Sequence, residues 1–204
     1  RASQLFHNDG AGQFSLVSTP SLLPPQDQYD AAWSDLDRDG WVDLLVGSPD
    51  KEMALRNLGD GQFQRLTTNE VGSMVAAAGN VGSYCPSFAD FDNDGDPDLY
   101  MNGESGRAFL YRNTGGGWFE RVTLGSLPSS RSTVGGVWAD FNGDGYYDLL
   151  TSARDGLLTL HQNVSGATFQ DVTAQTGLVA SPGEVWGPAV GDYDNDGDQD
   201  IFVT

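Results

Sequence analysis

The chain has 204 residues, of which 29 are acidic and 10 are basic, and its formal net charge at pH 7 is −19. This charge argues against nucleic acid as a partner, because phosphates need a basic patch, and against binding to anionic lipid surfaces. No apolar run is long enough to cross a membrane, and the single cysteine, Cys85, excludes an intrachain disulfide. We predict one domain, residues 1–204, with Cys85 as a buried structural thiol.

Residues 4–17 predict a β-hairpin. Two apolar stretches flank the segment Asn8-Asp-Gly-Ala-Gly-Gln-Phe14, and its Asn and Gly residues tolerate the positive φ angles of a tight turn. The same step from Asn to Phe recurs at residues 57–63, 113–119 and 163–169. The chain therefore contains four copies of one predicted hairpin turn.

The segment after the first hairpin predicts a complete unit of four antiparallel strands. An acidic loop joins the first two strands, and a turn containing Pro49 and Asp50 joins the second to the third. The predicted strands are residues 29–34, 43–48, 53–57 and 62–66. Residues 84–122 and 134–172 repeat this order, and four strands per 40 to 50 residues is typical of a β-propeller blade.

The acidic loop occurs four times, at residues 35–43, 90–98, 140–148 and 192–200, here called loops 1 to 4. Each copy has oxygen-bearing side chains at positions 1, 3, 5 and 9, and glycine at position 6 allows the sharp turn that brings them together. Calcium prefers six to eight oxygen ligands, and the backbone carbonyl at position 7 would add one. We predict about four Ca²⁺ ions, held by Asp35, Asp37, Asp39, Trp41 and Asp43; by Asp90, Asp92, Asp94, Asp96 and Asp98; by Asp140, Asn142, Asp144, Tyr146 and Asp148; and by Asp192, Asp194, Asp196, Asp198 and Asp200.

Two other interpretations of these loops are an EF-hand and a metal-free acidic turn. An EF-hand needs a glutamate at position 12 and flanking helices, but position 12 is Val46, Met101, Thr151 or Val203 in strand-like runs. The loops could also be acidic surface turns without metal, yet carboxylates so close together repel one another unless a cation is present. A calcium loop between two strands fits the sequence better than either.

The ends of the chain predict how the units are arranged. Residues 1–17 provide a third and a fourth strand, and residues 186–204 provide a first and a second. Together they would make a fourth blade and close a ring, which removes exposed sheet edges. The predicted fold is an all-β propeller of four four-stranded blades: 29–66, 84–122, 134–172, and 186–204 plus 1–17.

Large apolar residues stand two positions before the first acid of each loop, at Trp33, Phe88, Trp138 and Val190. We interpret them as packing between blades, because aromatic side chains dominate core burial, with a binding role for the tryptophans as the alternative.

The repeats resemble the FG-GAP/VCBS repeats of integrin α-chain-like β-propellers. The segments that carry the resemblance are Trp33-Ser-Asp-Leu-Asp-Arg-Asp-Gly-Trp-Val-Asp-Leu-Leu45 and Gly191-Asp-Tyr-Asp-Asn-Asp-Gly-Asp-Gln-Asp-Ile-Phe202. The resemblance implies loops that bind calcium on one face and a ligand on the opposite face or the rim. Such propellers are usually seven-bladed, and the literal Phe-Gly and Gly-Ala-Pro signature is blurred here.

We expect a non-enzymatic, extracellular binding or adhesion module for a protein or glycan. The variable linkers 18–28, 67–83, 123–133 and 173–185 are the expected ligand surface, with plain connectors as the alternative. A building block of a fibre or surface layer is a second function, and a propeller-type lyase or hydrolase a third. His7 and His161 belong to no recognisable nucleophile motif. Asn163-Val-Ser165 is a possible N-glycosylation site.

Overall fold

The computed structural model describes residues 4–17, 28, 30–48, 52–74, 83–103, 108–123, 125, 127, 133–179 and 183–204. Within these ranges the structure has sixteen β-strands and two four-residue helices. In chain order they are β1 (Leu5–Gly10), β2 (Gln13–Val17), β3 (Asp30–Ser34), β4 (Asp43–Gly47), β5 (Met53–Asn57), β6 (Phe63–Arg65), α1 (Thr68–Val71), β7 (Ser83–Ala89), β8 (Asp98–Gly103), β9 (Ala108–Asn113), β10 (Phe119–Val122), β11 (Thr133–Ala139), β12 (Asp148–Ala153), β13 (Leu158–Val164), β14 (Thr168–Asp171), α2 (Thr173–Thr176), β15 (Pro188–Gly191) and β16 (Asp200–Val203). No described helix has the length and apolar character needed to cross a membrane.

Three antiparallel sheets have four strands each, arranged in chain order. They are blade 1 (β3 to β6), blade 2 (β7 to β10) and blade 3 (β11 to β14). The second strand of each blade has an apolar run because neighbouring strands pair with both of its edges and other residues cover its faces. In blade 1, for example, Leu44 pairs with Trp33 on one side and Leu55 on the other, and every residue of β4 is buried.

The blades pack face to face through two apolar clusters. The first joins Leu45 and Ala54 of blade 1 to Leu99 and Phe109 of blade 2. The second joins blade 2 to blade 3, where the rings of Phe91 and Trp138 lie 6.4 Å apart and nearly parallel. This confirms the predicted packing role of Trp138.

Trp33, at the equivalent place in blade 1, is exposed to solvent to a large extent. It is 47% exposed and lies 6.1 Å from Phe63, so it is covered on one side only.

The part of the chain that the structure describes does not form a closed ring. Among the described residues, β1 pairs with β2 and β15 with β16 as two separate two-stranded sheets, so there are three complete blades and not four. The predicted blade of 186–204 plus 1–17 is therefore not confirmed. The prediction rested on matching loop lengths across the chain ends, and loop length does not decide which sheet edge a strand joins. The β1–β2 hairpin instead faces blade 1 across a groove of about 520 Å³.

The two helices lie in linkers where the sequence has no helical period. At α1 the Glu70 carboxylate accepts hydrogen bonds from the backbone N–H and the hydroxyl of Thr67, both at 2.8 Å, which caps the turn locally. Val71, the last residue of α1, and Met74 are fully buried between blades. The described part of this linker therefore contributes to the core. Much of the expected ligand surface lies outside the described residues, namely residues 18–27, 75–82, 124, 126, 128–132 and 180–182 of the four linkers.

Candidate metal centre

The four acidic loops have the same backbone fold. Each connects the first strand of a sheet to the second. In loop 2 the two oxygens of Asp90 accept hydrogen bonds from the N–H groups of Asp94 (3.0 Å) and Gly95 (2.8 Å), and Asp94 accepts one from Asp96 (2.9 Å). Loops 1, 3 and 4 repeat these bonds at 2.8–3.1 Å. The glycine at position 6 has φ between +87° and +98°, a conformation that side chains strain, which explains why glycine recurs there.

Carboxylate oxygens converge inside these loops. In loops 1, 2 and 4 one oxygen from each acid at positions 1, 3 and 5 lies within 4.8 Å of the other two. These are Asp35, Asp37 and Asp39; Asp90, Asp92 and Asp94; and Asp192, Asp194 and Asp196. In loop 3 the position-3 residue is Asn142, whose Oδ1 accepts the N–H of Asp144 at 2.9 Å.

This donor set fits a hard divalent cation. Oδ1 of Asp92 is buried and has no hydrogen-bond partner, so a carboxylate oxygen there is left for an ion. In loops 1, 2 and 4 the predicted side-chain ligands at positions 1, 3 and 5 are thus brought together. Coordination by the carbonyl at position 7 stays a prediction.

The acid at position 9 has a second role that the sequence did not reveal. Asp98 is completely buried, and its two oxygens accept the N–H groups of Phe91 (3.1 Å) and Asn113 (2.8 Å). Asp43 and Asp148 make the same pair of bonds in blades 1 and 3. In each complete blade, position 9 therefore ties the start of the loop to the third strand. A carboxylate oxygen has two lone pairs, so these bonds are compatible with a contact between position 9 and calcium, which stays a prediction.

Burial and mutual repulsion make these carboxylates hard to ionise without a cation. Burial raises the pKa of Asp98 to about 8, and it also raises the pKa of Asp43 and of Asp148. For Asp92, burial raises the pKa first and the neighbouring charge of Asp94 adds to it, while Arg112 opposes both. A bound divalent ion would favour the charged form of all four groups.

In blades 2 and 3 an asparagine links the hairpin turn to the loop of the preceding blade. The side chain of Asn113 in blade 2 donates to the carbonyl of Leu36 in loop 1 at 2.8 Å. Asn163 in blade 3 donates to the carbonyl of Phe91 in loop 2 at 2.7 Å. The sequence identified these asparagines as turn residues and did not predict the link, although their recurrence at one place in every repeat was the available signal.

Asn163, the possible glycosylation site, is buried. A glycan attaches to Nδ2, but Asn163 is 0% exposed and this atom already donates to the carbonyls of Phe91 and Tyr147. A sugar at this atom would have to displace both hydrogen bonds.

Three further residues are His161, His7 and Cys85. His161 is buried, Nε2 lies 3.3 Å from the hydroxyl of Thr151, and burial lowers its pKa to about 4. His7 is exposed and contacts Asp9 at 2.9 Å. Burial raises the pKa of the Cys85 thiol to about 12, and its Sγ donates to the carbonyl of Val134 at 3.2 Å, which agrees with an unreactive thiol.

Comparison with known proteins gives a family and a fold. The FG-GAP-like repeat family matches the chain four times, at residues 1–46, 35–101, 90–151 and 140–203. No curated protein is a significant match. Among solved structures, a lectin from Agrocybe aegerita, described by its specific recognition of non-reducing terminal N-acetylglucosamine, is 20% identical with a TM-score of 0.59. The match covers 98% of this chain and 54% of the lectin, so the chain spans about half of that protein.

The biofilm matrix protein Bap1 of V. cholerae also matches. It is 19% identical, with a TM-score of 0.48, over 86% of this chain and 24% of Bap1.

Proposed function

Because the chain belongs to the FG-GAP-like repeat family, we propose that it is a calcium-stabilised, propeller-type binding module that acts outside the cell and holds a glycan or protein ligand. The observation that carries this proposal is the convergence of three carboxylates within 4.8 Å in loops 1, 2 and 4. In this proposal the calcium ions are structural, and the module performs no catalysis.

The role of calcium follows from where the loops lie. Each loop joins two strands of one sheet, and Asn113 and Asn163 join loops 1 and 2 to the next blade. An ion that fixes a loop would therefore also fix the contact between blades. Binding to the folded state alone adds its free energy to folding.

The proposed location follows from the expected affinity. Calcium sites of extracellular modules have dissociation constants of about 10⁻⁴–10⁻³ M. Sites in this range fill in extracellular fluid and stay empty in cytosol, so the module would reach full stability only outside the cell.

A candidate ligand surface is the groove between the β1–β2 hairpin and blade 1. Its volume of about 520 Å³ lies in the range of small-ligand sites, roughly 300–1,000 Å³. Trp33, Trp41 and Phe63 line it together with the polar Asn57 and His7. Aromatic faces beside a few polar groups suit the mixed polar and apolar surface of a sugar ring. The fold shared with a lectin supports testing glycans first.

The test is a glycan and protein array probed in calcium and again in EDTA. We expect calcium-dependent binding to a glycan, weakened by Trp41→Ala and retained by Trp118→Ala, an exposed tryptophan in the hairpin turn of blade 2 and outside the groove. Binding that is unchanged in EDTA would refute the role of calcium. Assembly into polymers, seen by light scattering, would favour a structural building block instead.

A further inference from the structure

Arginines of the third strand contact the position-3 acid in two of the complete blades. In blade 1 Nε of Arg56 lies 2.9 Å from Oδ2 of Asp37, and in blade 2 Nε of Arg112 lies 2.7 Å from Oδ2 of Asp92. These N–H groups are not aligned as hydrogen bonds, so the contacts are ion pairs. Each arginine directly precedes the asparagine that begins the hairpin turn.

Blade 3 replaces both partners at once. The residue before its turn asparagine is Gln162, and position 3 of its loop is Asn142. The arginine is therefore missing in the one complete blade whose position-3 residue has no carboxylate. Because loop 3 folds like loops 1 and 2, this difference concerns charge and not backbone shape.

The ion pair engages one oxygen of the acid and leaves the other free of the arginine. Arg112 is at Oδ2 of Asp92, while Oδ1 is buried without a hydrogen-bond partner. Asp92 contributes one carboxylate oxygen to the converging set of loop 2. Arg112 is itself held in place, since its guanidinium lies 5.5 Å from the centre of the Phe91 ring. With Oδ2 at the arginine, Oδ1 is the oxygen left for an ion.

The ion pairs also offset the acid that loop 3 lacks. At positions 1, 3, 5 and 9, loops 1 and 2 each have four carboxylates, and one arginine pairs with the acid at position 3. Loop 3 has three carboxylates at these positions and a neutral glutamine in place of the arginine. A fourth carboxylate without an arginine would increase the repulsion among these acids.

We propose that Arg56 and Arg112 are positioning residues for calcium, each holding one oxygen of the position-3 aspartate so that the other faces the ion, with Gln162 and Asn142 as the uncharged equivalent. This rests on the calcium sites of the proposed function. It implies that removing a positive charge next to the site weakens binding of a cation, because the orientation of the ligand matters more than the lost repulsion between arginine and ion.

The test measures calcium binding to loop 2 in the full chain carrying Arg112→Gln. The backbone amide of Gly95, which donates to Asp90, reports loop 2 by NMR, and that of Gly145 reports loop 3 in the same sample. We expect the dissociation constant seen at Gly95 to rise about 10–100-fold, as for other residues that support metal ligands, while that at Gly145 stays unchanged. Combining Arg112→Gln with Asp92→Asn recreates the blade 3 pair and should restore binding.

Arg121→Gln is the matched control. Arg121 lies in the same blade over the ring of Phe109, at 4.5 Å, so its removal deletes the same charge without touching an acidic loop. A loss at Gly95 in both single variants would show general destabilisation of blade 2 and overturn the proposal. Equal or tighter binding in Arg112→Gln would also overturn it, because the arginine would then only compete with the ion. If calcium moves neither amide in the unmodified chain, the proposed function itself fails.

Discussion

Replacing Asn113 by alanine should loosen blade 2 from blade 1. The Asn113 side chain is fully buried; Nδ2 donates to the carbonyl of Leu36 at 2.8 Å and Oδ1 accepts the N–H of Gly115 at 3.1 Å. Alanine would leave both groups without these partners, and Leu36 is only 2% exposed to water. A buried group left unpaired costs about 1–3 kcal/mol, so the two together should lower the free energy of unfolding by about 2–6 kcal/mol.

Asn57 provides the matched control, because it occupies the same place in blade 1. Its Nδ2 donates to the carbonyl of Val42 at 3.1 Å, a bond exposed to solvent, and its Oδ1 accepts the N–H of Gly59 at 3.0 Å. Among the described residues, its hydrogen bonds stay within blade 1. Asn57→Ala should therefore cost about 1 kcal/mol, because water can replace an exposed partner.

Urea denaturation with saturating calcium, followed by tryptophan fluorescence, measures both variants. In thermal melts each kcal/mol should lower Tm by about 2–4 °C for a chain of this length. Equal losses for Asn57→Ala and Asn113→Ala, or a loss below about 1 kcal/mol for Asn113→Ala, would refute the link between blades as a main source of stability.

Four further predictions test the loops and the core. EDTA should lower Tm by many degrees in a thermal melt, and an unchanged melt would remove the structural role of calcium. Asp94→Ala should eliminate one calcium site, so a titration that still gives the stoichiometry of the unmodified chain would contradict the ligand assignment. Burial lowers the pKa of His161 to about 4, so between pH 6.5 and 4 only the unfolded chain takes up this proton. The free energy of unfolding should therefore decrease as the pH is lowered from 6.5 to 4, and it should decrease less steeply in His161→Gln. Secretion from a eukaryotic cell should leave Asn163 unmodified, which mass spectrometry of its peptide checks.

Local chemistry was enough to predict the loops and most of the strands. The fold of the loop around Gly95 depends only on neighbouring residues. Glycine permits the turn, and the acids at positions 1 and 5 accept hydrogen bonds from backbone groups two to five residues away. β5 covers the predicted residues 53–57, because apolar runs between turn residues define strands. The four-fold repetition then predicted the order of strands within a blade, because each copy has the same succession of strand, acidic loop, strand and turn.

Contacts between distant residues were decided by the tertiary structure alone. Asn113 meets the carbonyl of Leu36 across 77 residues of sequence, and Asn163 meets that of Phe91 across 72. The recurrence of the asparagines indicated a shared role, but nothing in the hairpin turns identified these partners. The same packing buries the nitrogen that a glycan would need. The association of β1–β2 and β15–β16 into separate sheets likewise depends on which surfaces pack together. A sequence pattern records the bonds a segment makes with itself, whereas the partner of a sheet edge or a buried amide is set by the three-dimensional arrangement of whole blades.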